Sequence, residues 1–436
     1  MEYKESQYNL LIPIDEGKTL AYSTLWGTMS VLDEEYMSQL LAPEPLPEND
    51  FTIKLANQHF VVPVDADELD IIQKKKTDEI NSRSETISLV IAPTLACNYK
   101  CIFCFEKNIE RGCNVMNEAV QAQTIEYVHT LIASYPMAKR ISVVWFGGEP
   151  TLCMDTIKNL SSRLITLAND NGLGYKAKVI TNGSSLSKEV INDFLAIGVT
   201  SIQLTLNGDK KYHCLYTKCS EKQFDMLLES IIHASSVMQT NVRCNLSVEN
   251  ANSLISVIKT IASNISSSRS KLSFYCEPIE NYGNTEIRNC TAMNRKNFND
   301  CRARLSSLLE SLNLKNERMS GYPRHSMTNC QACSPSFSVI GPDGTLYQCD
   351  LCLGHENFSV GNVYDGKTHI SMIKTFVDFA LPYKQCSTCN LLPVCAGGCT
   401  GQRVLYGKKV DCKMKRKQII EGVIKKYRDY QNRKVK

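Results

Sequence analysis

No apolar run in this sequence approaches the roughly 20 residues that a helix needs to cross a bilayer. The first residues, Met1-Glu2-Tyr3-Lys4-Glu5, lack the basic stretch and apolar core of a secretory signal. Net charge is only +4 over 436 residues, too small an excess to suggest a nucleic-acid partner. Internal repeats and low-complexity tracts are also missing. Together these absences predict a cytoplasmic protein with neither a membrane nor a nucleic-acid partner. A composition of 43% apolar and 22% charged residues at this length predicts two or three globular domains.

What the sequence does have is cysteine, 20 in all. A chain expected in a reducing compartment has no use for a disulfide framework of that size. Some of these thiols will be small buried hydrophobes; the rest need another explanation, and their spacing supplies one.

The chain reads in four parts. Residues 1–85 predict a small α+β unit with a hairpin over Tyr8–Tyr22, a helix from Asp33 to Leu41, a strand at His59–Val62 and a helix from Asp65 to Ile80. From Ile87 strands and helices alternate, with strands at Ile87–Ile91, Ile141–Phe146, Lys178–Thr181, Ser201–Leu206, Val242–Leu246 and Leu272–Tyr275. Six strands with intervening helices imply parallel βαβ units, as an open sheet or a partial barrel. This region runs over 86–315. Residues 316–412 are rich in Cys, Gly and Pro with few periodic runs, and such a segment needs metal staples to hold a core. An amphipathic basic helix over 413–436 ends the chain, with Ile419, Ile420, Val423, Ile424 and Tyr427 on one face.

Directly after the first strand of the alternating region comes Cys97-Asn98-Tyr99-Lys100-Cys101-Ile102-Phe103-Cys104. Loops at the C-terminal ends of parallel strands carry active sites. Soft thiolates there select an iron–sulfur cluster or zinc. Three thiolates leave the fourth iron of a 4Fe-4S cluster open to a small molecule. The next strand ends in Phe146-Gly147-Gly148-Glu149-Pro150. This C-x3-C-x2-C loop, with the Gly-Gly-Glu element after it, resembles the radical S-adenosylmethionine (SAM) enzymes over about 85–290. The resemblance implies a partial (β/α)6 TIM-like barrel, with SAM chelated on the open iron and split to a 5′-deoxyadenosyl radical. It further implies that Gly147, Gly148, Glu149 and Pro150 meet the methionyl end of SAM, Glu149 taking its ammonium. Asn182, after the third strand, and Thr205 and Asn207, on the fourth, would lie on the ribose side. Thr205 replaces a usual Ser, Asn207 a frequent Asp, and the family's Arg near Thr217 is missing.

The second field contains Cys330, Cys333, Gly344-x4-Cys349, then Cys386-x2-Cys389-x5-Cys395-x3-Cys399 and Cys412. Thiols so spaced suit zinc or iron–sulfur sites alike. The array resembles the SPASM extension of radical SAM enzymes, which holds two auxiliary 4Fe-4S clusters. That resemblance implies Cys333, Cys349 and Cys399 for one cluster, with Cys330 its fourth ligand or Cys352 in its place. Cys386, Cys389, Cys395 and Cys412 would hold the other. Asp350 follows Cys349 and corresponds to a catalytic base in sulfatase-maturing relatives; a turn Asp is the alternative.

The small unit at 1–85 resembles the winged-helix-like module with which peptide maturases bind a leader, so the partners expected are a precursor peptide and a small redox protein that donates electrons. The reaction expected is hydrogen abstraction from a ribosomal peptide, ending in a thioether or other crosslink. A formylglycine-forming sulfatase maturase and a redox-sensing binding protein are the alternatives.

Overall fold

The computed structural model describes residues 1–109, 115–265, 271–279, 290–291, 293–316, 322–323, 325, 328, 330–378 and 381–434. Cys113 lies outside these residues. The chain forms two compact units, one of Met1–Arg83, Ser320–Ser334 and Thr375–Lys436, the other of Ser84–Met319 and Pro335–Lys374. The four linear parts expected from sequence are thus gathered into two, and the stretch 316–412 divides between both.

In the first unit, β1 (Glu2–Glu5) pairs with β5 (Leu46–Pro47) and β6 (Val61–Pro63). A second small sheet joins β2 (Asn9–Asp15), β3 (Lys18–Ser23) and β4 (Met29–Leu32). The expected hairpin is β2–β3, turning at Gly17 with φ 69°. Helix α1 (Glu34–Leu40) starts where Asp33 accepts from the Tyr36 amide, as a capping side chain should. Helix α2 (Asp50–Asn57), absent from the sequence reading, begins on a capping box between Asn49 and Thr52. Helix α3 (Glu68–Arg83) follows.

Residues 1–83 have a core of their own around Leu40, Leu46, Leu55 and Phe60 and share a second one with the end of the chain. Leu10, Ile12, Leu20 and Tyr22 pack with Leu391, Ile419 and Val423, so the N-terminal hairpin and the last helix bury one another's apolar faces. That last helix, α14 (Cys412–Lys434), follows α12 (Leu392–Cys395) and α13 (Thr400–Tyr406).

The second unit is built on one sheet of eleven strands in the order β13-β12-β11-β10-β9-β8-β7-β14-β15-β16-β17. Strands β7 (Thr86–Ile91), β8 (Arg140–Trp145), β9 (Gly174–Thr181), β10 (Val199–Leu206), β11 (Gln239–Leu246) and β12 (Leu272–Pro278) run parallel, in sequence order. Strand β13 (Lys315–Asn316) adds to β12. The crossovers are α4 (Glu118–Ser134), α5 (Met154–Asp170), α6 (Lys188–Ala196), the pair α7 (Lys210–Thr217) and α8 (Glu221–Val237), and α9 (Ala251–Ser263). Helix α10 (Arg295–Ser311) leads to β13.

The period of two along each strand separates the sheet's faces. Ile202, Leu204, Leu206, Val242, Cys244 and Leu246 are fully buried in the main core. The residues between them, Gln203, Thr205, Asn207, Arg243 and Asn245, line a cavity on the other face. Beyond β7 the C-terminal segment joins the same sheet. β14 (Phe337–Ile340) pairs parallel with β7, then β15 (Thr345–Tyr347), β16 (Ser359–Asn362) and β17 (Gly366–Lys367) follow antiparallel. Helix α11 (Ile370–Val377) comes next.

Candidate active site

The loop after β7 carries Cys97, Cys101 and Cys104, all partly exposed and all lining a cavity of about 470 Å³. Two neighbours fix this loop. The amides of Gly148 and Glu149 donate to the carbonyls of Thr94 (3.2 Å) and Ala96 (2.9 Å). The amides of Lys100 and Ile102 donate to the carbonyls of Thr217 (3.0 Å) and Tyr216 (2.9 Å) at the end of α7.

Both glycines after β8 are dictated by the first contact. A Cβ on Gly147 would overlap the Thr94 carbonyl oxygen, and one on Gly148 the carbonyls of Leu95 and Ala96. Gly147 also holds φ 111°, which side-chain-bearing residues avoid. The pair therefore lets the chain approach the cysteine loop, and both residues also line the cavity.

Glu149 stands behind the cavity lining. It is 1% exposed and does not line the cavity. One carboxylate oxygen accepts from the Thr151 amide (3.0 Å) and the hydroxyls of Thr151 and Thr181 (both 2.6 Å); the other accepts from the Asn182 amide (2.7 Å). Four donors fill the lone-pair sites of a carboxylate. Burial pushes its pKa up, and these hydrogen bonds oppose the rise. Glu149 thus ties the end of β8 to the end of β9. Pro150 is likewise buried, at the start of a 3-10 turn over Pro150–Cys153, and away from the cavity.

Asn182, Thr205 and Asn207 line the cavity. The Asn182 amide group donates to Asn98 (2.8 Å) and lies 3.9 Å from the Cys97 sulfur, so it braces the cysteine loop as well. Asn207 is fully buried and receives a hydrogen bond from Asn245 (2.9 Å), while its own Nδ2 has no partner.

His213 was not singled out from sequence, and it belongs here. It sits on α7, whose first turn is capped by Asp209, and it lines the cavity while 1% exposed. Burial pulls its pKa down to about 4, so the ring is neutral near pH 7. Nδ1 accepts from the Asn207 amide (3.3 Å), which assigns the proton to Nε2, and Nε2 has no partner. The only signal in the sequence was His213's place in the turn of helix after Asn207-Gly208-Asp209. Lys178 and Arg243 also line the cavity, bonded to Gln203 (2.9 Å) and Asn245 (2.9 Å). Asp350 and Leu351 reach it from the C-terminal segment.

These residues fit SAM and a cluster. The volume suits a ligand of that size, and the unpartnered donors of Asn207 and His213 await acceptors in a buried place. Among the described residues no three His, Cys, Asp or Glu side chains are gathered as around a single ion. Thiolates that bond different irons of one cluster stand further apart than the ligands of one ion.

The other cysteines also assemble. In the first unit Cys389, Cys395 and Cys412 stand close enough to Cys386 to help raise its pKa, behind the larger effect of burial. Cys330 is likewise beside Cys333 and Cys399. Between Cys395 and Cys399, Ala396, Gly397 and Gly398 all take left-handed conformations (φ 45°, 72° and 80°). In the second unit the free thiols of Cys349 and Cys352 are within hydrogen-bond reach of each other, with the Asp350 carboxylate 3.6 Å from the Cys349 sulfur.

Residues 91–259 match the radical SAM superfamily. Enzymes of that superfamily use SAM and a 4Fe-4S cluster. A serine-type anaerobic sulfatase-maturating enzyme of Klebsiella aerogenes is 25% identical over 325 residues, 70% of this chain and 77% of that protein. An S-adenosylmethionine-dependent nucleotide dehydratase of Flammeovirga pacifica is 34% identical over 119 residues; the match takes in 26% of this chain and 37% of the dehydratase. Among solved structures, anSMEcpe with bound AdoMet superposes with a TM-score of 0.60 at 18% identity, over 79% of this chain and 95% of that one. Streptococcus suis SuiB bound to its precursor peptide SuiA gives 0.54 at 15% identity, over 93% and 97%. At these identities the structures establish a shared fold. Among the described residues no helix is long and apolar enough to cross a membrane.

Proposed function

We propose that the chain is a cytoplasmic peptide maturase that removes hydrogen from a side chain or alpha carbon of a precursor peptide and so sets up a thioether or other crosslink. The observation that carries this reading is the cavity shared by Cys97, Cys101, Cys104 and Asp350. The likeness in fold to SuiB with its bound peptide, which extends over the N-terminal segment, supports it. When bound, the cluster and SAM supply a carbon radical that abstracts hydrogen.

The chain's own residues do the rest. Cys97, Cys101 and Cys104 hold the cluster. Gly147 and Gly148 keep the cysteine loop seated, and the Asn207 and His213 donors orient SAM. Phe105 and Phe146, stacked at 6.3 Å between centroids, give the cavity an apolar wall that excludes water. In the first unit, Cys386, Cys389, Cys395 and Cys412 hold an auxiliary cluster, and Cys330, Cys333 and Cys399 are ligands of another. Residues 1–85 recognise the leader, and a small redox protein supplies electrons.

One observation favours a second reading. Asp350 faces the cavity, where a carboxylate can take a proton from a substrate Cys or Ser, as formylglycine formation needs. Truncating the N-terminal segment would not separate the readings, because residues 1–83 share a core with α14. Substrate does. Anaerobic, reconstituted full-length enzyme is given a precursor peptide with its leader, and separately a short Cys or Ser peptide; 5′-deoxyadenosine and peptide mass are followed. Loss of two hydrogen atoms from the leader peptide supports the maturase. Formylglycine in the short peptide, abolished by Asp350→Asn, replaces it with the second reading. A cluster-loaded enzyme that cleaves SAM yet alters neither peptide rejects both.

A further inference from the structure

Two cysteines that fit no ligand spacing stand together beside the cysteine loop. Cys214 lies on α7 and Cys219 just before α8, with their sulfurs 3.5 Å apart and both partly exposed. Between them Lys218 closes α7 in a left-handed conformation, φ 61°, an uncommon one for a residue with a long side chain. The same short segment carries the carbonyls of Tyr216 and Thr217, which hold the amides of Ile102 and Lys100 on either side of Cys101.

We infer that Cys214 and Cys219 are a redox-responsive dithiol, closed to a disulfide by a low-molecular-weight disulfide, and that closure acts on the clamp that seats the cysteine loop. A disulfide brings the sulfurs to about 2.05 Å, so they must approach further from 3.5 Å. The segment between them carries both clamp carbonyls and has few ways to accommodate that movement.

The exchange balances. The Cys219 thiolate attacks the external disulfide, forming a mixed disulfide and releasing one thiolate. Cys214 then gives up its proton and attacks the Cys219 sulfur, releasing the second. Two electrons pass from the protein pair to the external disulfide, and the protons of the two cysteines end on the two thiols released. Burial pushes the Cys214 thiol up to about 12, which makes it the slower, resolving partner.

The test uses anaerobic, cluster-loaded enzyme incubated with glutathione disulfide, alkylated and digested with trypsin. Cleavage after Lys211, Lys218 and Lys222 puts the two cysteines on separate peptides, Tyr212–Lys218 and Cys219–Lys222. The expected product is those two peptides joined by a disulfide, absent from Cys214→Ser and from Cys219→Ser. SAM cleavage by the oxidised wild type falls several-fold and returns with dithiothreitol, whereas both variants keep their rate through the same treatment. Alkylation of both thiols after oxidation, or a glutathione adduct that stays on Cys219 with Cys214 free, overturns the disulfide. An equal fall in rate in the variants overturns the link to the clamp.

Discussion

Glu149→Gln separates two roles for the Gly-Gly-Glu element. In the structure the Glu149 carboxylate is buried, does not itself line the cavity, and accepts four hydrogen bonds from Thr151, Thr181 and Asn182. A glutamine retains one acceptor oxygen and turns the other into a donor, which then faces donors. Turned so that its amide oxygen keeps the three donors, glutamine loses the bond from the Asn182 amide, about 1.5–3 kcal/mol, and exchanges three charge-assisted bonds for neutral ones weaker by about 0.5–1 kcal/mol each, about 3–6 kcal/mol in all. Relief from burying a charge offsets part of this, leaving a net loss of about 2–4 kcal/mol. At roughly 2–4 °C per kcal/mol, the melting transition of the cluster-free protein should fall by about 4–16 °C. The same substitution frees the end of β9, so iron uptake should fall with it. Calorimetry of cluster-free wild type and variant, followed by iron analysis after reconstitution, reads both effects. An unchanged melting temperature with weakened SAM binding alone would refute the argument and return Glu149 to the cofactor.

Other substitutions probe the site from different sides. Three 4Fe-4S clusters predict about 12 irons per chain, and replacing Cys97, Cys101 and Cys104 by Ala should remove about four; a smaller count with zinc present would make the C-terminal thiols a structural staple. His213, held neutral with its pKa lowered to about 4, binds protons less readily folded than unfolded. Its stabilisation is therefore complete above pH 6.5 and lost as pH falls toward 4, amounting to about 3 kcal/mol. His213→Gln should flatten that part of the stability curve in urea melts, and an unchanged slope would show that another group sets it. Lys367 donates to the carbonyls of Pro335 and Phe337 and to Gln348, and no ion pair joins it to a carboxylate among the described residues. Lys367→Met strands these buried acceptors and should destabilise the protein by about 2–4 kcal/mol, visible as a lower urea midpoint; a neutral result would mean that water replaces the ammonium.

The sequence alone determined the parallel strand series, the cysteine loop after its first strand and the ligand-spaced thiols, because these follow from short-range patterns. Strand burial is written as apolar runs, and chelation is written as close spacing. Asn182, Thr205 and Asn207, which line the cavity, were singled out only through the family resemblance of the third and fourth strand ends. Tertiary structure decided what depends on distant partners. Gly147 and Gly148 are required by the carbonyls of Thr94–Ala96, a packing contact across neighbouring strand ends. Glu149 is held behind the cavity wall because Thr181 and Asn182, at the end of the next strand, offer it donors. His213 became part of the site only because α7 turns back over β10, and no pattern marks a lone histidine in advance. The N-terminal hairpin buries one of its apolar faces against a helix from the other end of the chain, a pairing that no local pattern announces.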